Sequence, residues 1–326
     1  MQTRPLGKSG LELTTIGLGT WAIGGGDWRF GWGPQDERDA VSAIVRGVEL
    51  GINWVDTAAV YGDGKSEELL GKALAQLGPS RRPIVATKCS RVIQPDGSID
   101  GVLKRDSILA ECEGSLRRLG VDVIDLYQLH WPIPDEDIEE GWQTLVDLKQ
   151  QGKVRHIGVS NFSVEQMKRL MPIHPIASLQ PPYSMVRPEI EEDILPYCSA
   201  GGIGVVCYSP MGKGLLTGKF TRERAKSLPQ SDHRSRDPMF SGKELEINLQ
   251  LVEGLERIAA ASGRTVAQLA IAWTLRRPEV TSAIVGARRP DQIEETAPGG
   301  DWTLTDEDVA HVDALLNERA SHLAAL

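Results

Sequence analysis

From Thr15 onward, short apolar runs alternate with longer amphipathic stretches, and this rhythm constrains the fold more than any other feature of the sequence. It is the strand-then-helix alternation of a parallel sheet covered by helices. The apolar runs predict strands at Ile16–Gly19, Asn53–Asp56, Ile84–Lys88, Val123–Leu129, Val154–Ser160, Ala177–Gln180, Gly204–Tyr208 and Ser282–Val285. The patterns between them predict helices at Glu37–Leu50, Ser66–Leu77, Arg105–Leu119, Asp135–Gln151, Val164–Leu170 and Glu189–Ala200, with a final pair inside Leu245–Arg277. Eight such units close a (β/α)8 TIM barrel, an α/β fold. A barrel of about 250 residues plus insertions absorbs the whole chain as one domain, 1–326.

Local signals fill in this frame. Ser66 is expected to cap its helix, with Glu67 and Glu68 in the first turn, and Gly51 and Gly120 to end theirs. Arg4–Leu6 and Leu11–Leu13, around Lys8-Ser9-Gly10, predict an N-terminal β-hairpin that caps one barrel end. Thr221–Gly242, rich in Arg, Ser, Asp and Pro, reads as a surface loop or lid.

Charge and cysteine content exclude several function classes. A formal net charge of -9 argues against a nucleic-acid or anionic-membrane surface, since both need clustered Lys and Arg. Cys89, Cys112, Cys198 and Cys207 show no CxxC pair or metal-ligand spacing and fit reduced thiols. The histidines show no paired ligand spacing, so no metal is expected, and His156 and His174 are read as structural. Without an apolar signal core or an eighteen-residue apolar run, the expectation is a cytoplasmic protein, monomeric or weakly homo-oligomeric.

Barrel strands are apolar along their length, so a polar residue just after the apolar run points into the catalytic mouth. Asp56, Lys88, His130, Ser160 with Asn161, Gln180, and Tyr208 with Ser209 all occupy such positions. At these residues the chain resembles a known family. Asp56-Thr57-Ala58-Ala59-Val60-Tyr61-Gly62 with Ser66-Glu67, and Lys153 through Phe162, resemble the signatures of the aldo-keto reductase superfamily. Leu129-His130-Trp131-Pro132 and Tyr208-Ser209-Pro210 extend the likeness, which runs from about Gly17 to Thr296 and is similar to the bacterial inositol-operon and general-stress reductases.

The residues themselves suggest carbonyl reduction. A phenol with a reference pKa of about 10 holds its proton at neutral pH, so Tyr61 suits a proton donor. Lys88 supplies a cation to stabilise the developing phenolate, Asp56 keeps that buried lysine charged, and His130 as neutral imidazole orients the substrate oxygen. The resemblance implies the same roles. None of these groups donates hydride, so a nicotinamide cofactor is required. Ser160, Asn161 and Gln180 could hydrogen-bond its carboxamide and Tyr208 could stack on its ring, and the resemblance implies these contacts. The loop Ser209-Pro210-Met211-Gly212-Lys213-Gly214 is expected at the pyrophosphate. Gly286, Arg288, Gln292 and Glu295 resemble the family's adenosine end, with Arg288 for a 2′-phosphate and hence NADPH. The Lys-Ser pair associated with the superfamily is missing after the last strand and Thr296 stands where Asn is expected, which keeps NADH as an alternative.

Trp21, Trp28, Trp32 and Trp131 leave strands one and four, where aromatic walls shape a carbonyl pocket; Trp21 and Trp131 are the substrate candidates. Gly17-Leu18-Gly19-Thr20-Trp21-Ala22 formally matches a dinucleotide fingerprint, but Gly24-Gly25-Gly26 follows where that motif needs a helix. Gly214–Lys219 has the wrong spacing for a phosphate loop. Two other functions compete: a Schiff-base aldolase using Lys88, which borohydride trapping would reveal, and a non-catalytic nicotinamide-sensing subunit, which steady turnover would exclude.

Overall fold

The computed structural model describes residues 1–26, 28, 30–230 and 232–326. Eight parallel strands close a barrel: β3 (Ile16–Gly19), β4 (Trp54–Asp56), β5 (Ile84–Cys89), β8 (Ile124–Leu129), β9 (Val154–Ser160), β10 (Ser178–Gln180), β11 (Gly204–Tyr208) and β12 (Val280–Gly286), with β12 pairing back to β3. Each expected strand is present, with ends shifted by a residue or two. The hairpin forms from β1 (Thr3–Pro5) and β2 (Glu12–Thr14), and a second hairpin, β6 (Arg91–Ile93) and β7 (Ile99–Gly101), follows β5. This second hairpin was not anticipated, although Pro95-Asp96-Gly97 is its turn signal.

Helices α1 (Glu37–Glu49), α2 (Lys65–Leu77), α3 (Arg105–Leu119), α4 (Ile138–Gln150), α5 (Val164–Leu170), α6 (Ile194–Gly201), α7 (Arg222–Lys226), α8 (Gly242–Ala261) and α9 (Val266–Leu275) follow the expected pattern apart from α7, which forms inside the expected loop. Helices α10 (Pro290–Thr296) and α11 (Asp306–Ala324) were not foreseen. The α11 helix fully buries Val312 alone, but Val309, Val312, Leu315 and Leu316 recur at helical spacing, with both leucines packed against the core. Thr305 and Asp308 form a capping box at its start, so its signals were present in the sequence.

One local expectation is corrected. Gly64, at φ +86°, precedes α2, and Ser66 lies inside the helix. The Ser66 hydroxyl is fully buried and donates to Thr20 Oγ1 at 2.7 Å, tying the helix to the end of β3 rather than capping it.

The N-terminal hairpin closes one barrel end. Leu6 and Leu13 are buried against Trp54, Ala86, Leu126, Val206 and Ile284, and burying each leucine stabilises the fold by about 1.5–3 kcal/mol. Arg4 fastens the hairpin by donating to Val280 O at 2.6 Å and Leu275 O at 3.0 Å. The same packing explains the glycines of β3. A Cβ on Gly17 would stand 2.1 Å from the Trp54 indole, and one on Gly19 would meet Ile284 at 2.6 Å. They are packing glycines, not a phosphate-binding fingerprint.

Register fixes the opposite rim. Asp56 pairs with Gly19, Lys88 with Gln128, Gln180 with Ser160, and Tyr208 with Ile284, so the strand ends that carry polar side chains lie around one mouth.

Candidate active site

Around that mouth lies a cavity of about 1420 Å³, larger than the usual span of about 300–1,000 Å³ for a single small ligand. Every expected site residue lines it except Lys88, which sits just beneath its floor. Tyr61 is placed by a tight turn after β4. Its amide donates to Ala58 O at 3.1 Å, and Gly62, at φ +61°, lies so close to Gly24 that a Cβ there would be 1.8 Å from Gly24 O. No other residue fits that turn.

Lys88 is fully buried and donates to Asp56 Oδ2 at 2.8 Å, Thr57 O at 2.9 Å and the Tyr61 hydroxyl at 3.2 Å. Its three ammonium protons are thereby all engaged. Burial pushes its pKa below the ordinary lysine value, and Asp56 opposes that shift. The Tyr61 phenol is pushed well above 10 by burial and then by the Asp56 carboxylate, so it is protonated across the physiological range. The His130 ring lies edge-on to Tyr61 at 5.7 Å, and burial together with the charges of Lys88 and Arg91 holds its pKa well below 6.5. It is a neutral imidazole whose buried Nδ1 has no partner among the described residues.

A second network adjoins the first. Gln180 Nε2 donates to Asp56 Oδ1 at 2.8 Å, leaving its carbonyl oxygen for a ligand. Ser160 donates to Gln180 O at 2.8 Å. Asn161, at φ +63°, donates to His130 O and Ser160 Oγ, each at 3.0 Å, and accepts from the Tyr208 hydroxyl at 2.9 Å. Amide and hydroxyl groups beside a phenol ring match what a nicotinamide carboxamide and its ring need.

The expected pyrophosphate loop is more self-contained than sequence reasoning suggested. Ser209 and Lys213 adopt positive φ, and the amides of Gly212, Gly214 and Leu216 bond back to Ser209 O and Met211 O, so those donors are already used inside the turn. Lys213 pairs with Asp237 at 2.8 Å, and Glu295 pairs with Lys219. Gln292 accepts from the Arg288 amide at 2.7 Å. Arg288 donates to Gln35 Oε1 at 2.7 Å, to Trp32 O at 3.0 Å and to Pro34 O, so it anchors the loop after β3 as well as lining the cavity. Lys213, Lys219 and Arg288 thus lie along one wall of the cavity, with Gly286 at its start.

Residues missed from the sequence form the roof. The Thr221–Gly242 stretch, in which Ser231 lies outside the described residues, carries turns at His233–Arg236 and Pro238–Phe240. His233 packs between Trp21 and Trp32 at 5.0 and 5.4 Å, and Arg234 lies 4.2 Å over the Trp32 ring while pairing with Asp232. Burial holds His233 down at about 4. Trp28 stands 6.2 Å from Tyr61, and Trp131 is 38% exposed at the rim. A basic-aromatic run in a polar loop was the one signal available, and it does not say where the loop folds.

A closed parallel barrel with a lysine-carboxylate pair buried under a rim phenol and a neutral imidazole defines a barrel oxidoreductase class, and comparison with known proteins agrees. Residues 15–317 match the model described as Aldo/keto reductase family, and the chain belongs to that family. It is 38% identical over 322 residues to the aldo-keto reductase YhdN of Bacillus subtilis (strain 168), covering 98% of this chain and 95% of that one. It is 33% identical over 336 residues to the NADH-specific methylglyoxal reductase of Escherichia coli (strain K12), covering 99% of each. The solved glycerol dehydrogenase AKR11B4 from Gluconobacter oxydans superposes with a TM-score of 0.87 at 38% identity, covering 97% of this chain and 95% of that one. The protein is therefore an oxidoreductase of carbonyl compounds that works with a nicotinamide cofactor. Among the described residues no helix is long and apolar enough to cross a membrane.

Proposed function

We propose that the protein reduces small aldehydes and ketones to alcohols with NADPH, and that Tyr61 gives the proton to the carbonyl oxygen. The observation that carries this reading is the continuous chain from Asp56 through Lys88 to the Tyr61 hydroxyl, with His130 facing it across the cavity. The bound nicotinamide supplies the hydride. As negative charge grows on the substrate oxygen, Tyr61 passes its proton there, and the Lys88 ammonium 3.2 Å away stabilises the phenolate left behind. Neutral His130 holds the same oxygen with an N–H donor. Ser160, Asn161 and Gln180 orient the carboxamide, and Tyr208 supports the ring. Met211, Lys213, Gly214 and Arg288 lie along the wall assigned to the phosphates, while Trp21 and Trp131 bound the substrate.

Engagement of all three Lys88 protons disfavours the Schiff-base alternative, because a nucleophilic amine needs a free lone pair directed at the substrate. The reductase reading is tested by following nicotinamide absorbance with a panel of aldehydes and ketones as a function of pH. With Tyr61 titrating well above 10 and His130 well below 6.5, neither changes state near neutrality. We expect kcat/KM for reduction to vary by less than about threefold between about pH 5.5 and pH 8. An inflection near pH 6.5 that vanishes in His130→Gln would remove the neutral-donor role, and absence of turnover with either NADPH or NADH would remove the reading itself.

NADPH preference rests on Arg288, which keeps two N–H groups after anchoring the loop. Arg288→Gln is expected to weaken NADPH binding about tenfold and NADH binding by less than about twofold, the scale of a charged hydrogen bond. Titration of both cofactors decides it: equal weakening of the two would leave Arg288 as a loop anchor only.

A further inference from the structure

The protein carries a net charge of -9, yet Arg91, Arg187 and Arg288 line its cavity with no carboxylate at ion-pair distance among the described residues. Each of the five carboxylates on the lining sits in an ion pair inside the protein, from Asp56 with Lys88 to Glu295 with Lys219. Arg91 lines the same cavity, and among the described residues no carboxylate lies within ion-pair distance of it. Among the described residues its one side-chain hydrogen bond goes to Ile99 O at 3.2 Å, so most of its guanidinium donors are left for a ligand.

The position of Arg91 is built. Strand β5 delivers Lys88 to the floor, and Ser90, at φ +75°, then turns the chain outward. Both Glu111 oxygens accept the Ser90 amide, at 3.0 and 3.2 Å, and the β6–β7 pairing of Arg91 with Gly101 holds the next residue over the cavity. There its charge is close enough to depress the proton affinity of His130, and burial lowers its own pKa. Arg187 also lines the cavity, but its charge acts on Tyr208 and Asp237, the other side of the mouth. Asp100, on the facing strand of the hairpin, opposes the lowering of the Arg91 pKa from beyond ion-pair distance. Arg91 is thus a half-desolvated cation without a direct carboxylate contact among the described residues, beside the group assigned to the substrate oxygen, and low-dielectric walls strengthen its field.

We infer that Arg91 is a specificity residue for carbonyl substrates that carry an anionic group, a carboxylate or a phosphate ester, a short chain away from the reacting carbon. The inference rests on the reductase reading for what happens at the carbonyl, but not for the anion contact. Guanidinium recognises either anion through two parallel N–H donors, whereas a neutral aldehyde gains nothing from it.

The test measures kcat/KM for two pairs, succinic semialdehyde against butanal and glycolaldehyde phosphate against glycolaldehyde, in wild type, Arg91→Gln and Arg91→Lys. Wild type is expected to favour the anionic member of at least one pair by about 10- to 100-fold, and the pair that responds identifies the anion. Arg91→Gln should abolish that preference through KM while changing the neutral partner by less than about threefold, and Arg91→Lys should keep part of it. Equal turnover within both pairs by wild type, or parallel loss on charged and neutral substrates in Arg91→Gln, overturns the inference. Failure to reduce any of the four aldehydes would strike the reductase reading instead. Arg91 is then judged by succinate quenching of tryptophan fluorescence in the NADP+ complex: saturable quenching weakened by Arg91→Gln supports the contact, and none in wild type overturns it.

Discussion

Tyr61→Phe is expected to lower kcat for aldehyde reduction by at least about a hundredfold, the usual scale of acid catalysis, while cofactor affinity stays within about twofold. The substitution removes one O–H and little else. A phenylalanine ring keeps the contacts with His130 at 5.7 Å and Trp28 at 6.2 Å, and Lys88 retains Asp56 and Thr57 O as acceptors. The loss should therefore fall on kcat rather than on binding or folding, as follows when an interaction made only in the transition state is removed. Single-turnover measurement with preformed cofactor complex checks this directly. A variant retaining more than about a tenth of wild-type kcat would exclude Tyr61 as the proton donor.

Lys88→Met is expected to be the more damaging change to the molecule as a whole. It leaves Asp56 buried with only the Gln180 amide at 2.8 Å to satisfy it, and removing one partner of a buried ion pair costs about 3–5 kcal/mol. Activity should fall as well, since the phenolate left after proton transfer loses its neighbouring cation. Urea unfolding measures the first effect. The double variant Asp56→Leu with Lys88→Met should recover at least about half of the lost stability, because an apolar pair of similar volume leaves no stranded charge. If the single and double variants were equally destabilised, the charge pair would not be the source of the loss.

The barrel was legible in the sequence because buried parallel strands read as apolar runs and their polar terminal residues mark one rim. Asp56, Lys88 and His130 could be placed that way without any side-chain geometry. Tyr61 could not, since it lies in a turn whose shape depends on Gly62 meeting Gly24, and it was found through resemblance. The roof was illegible for another reason. Arg288 meets Gln35 across 253 residues of chain, and His233 settles against Trp21 from a distant loop. No local period encodes such contacts. Arg91 was overlooked because it begins a hairpin whose turn signal went unread, and the role inferred for it depends on having no carboxylate at ion-pair distance among the described residues, a property visible only once its surroundings are known.

The leucine-filled hairpin at the far end of the barrel has a kinetic consequence. With that end shut by Leu6 and Leu13, both ligands must come and go through one doorway. On the proposed reading, a dinucleotide held along the wall from Tyr208 to Arg288 would share that doorway with the carbonyl compound. Passage of one would then hinder passage of the other, and cofactor exit would compete with the chemistry for control of the turnover rate.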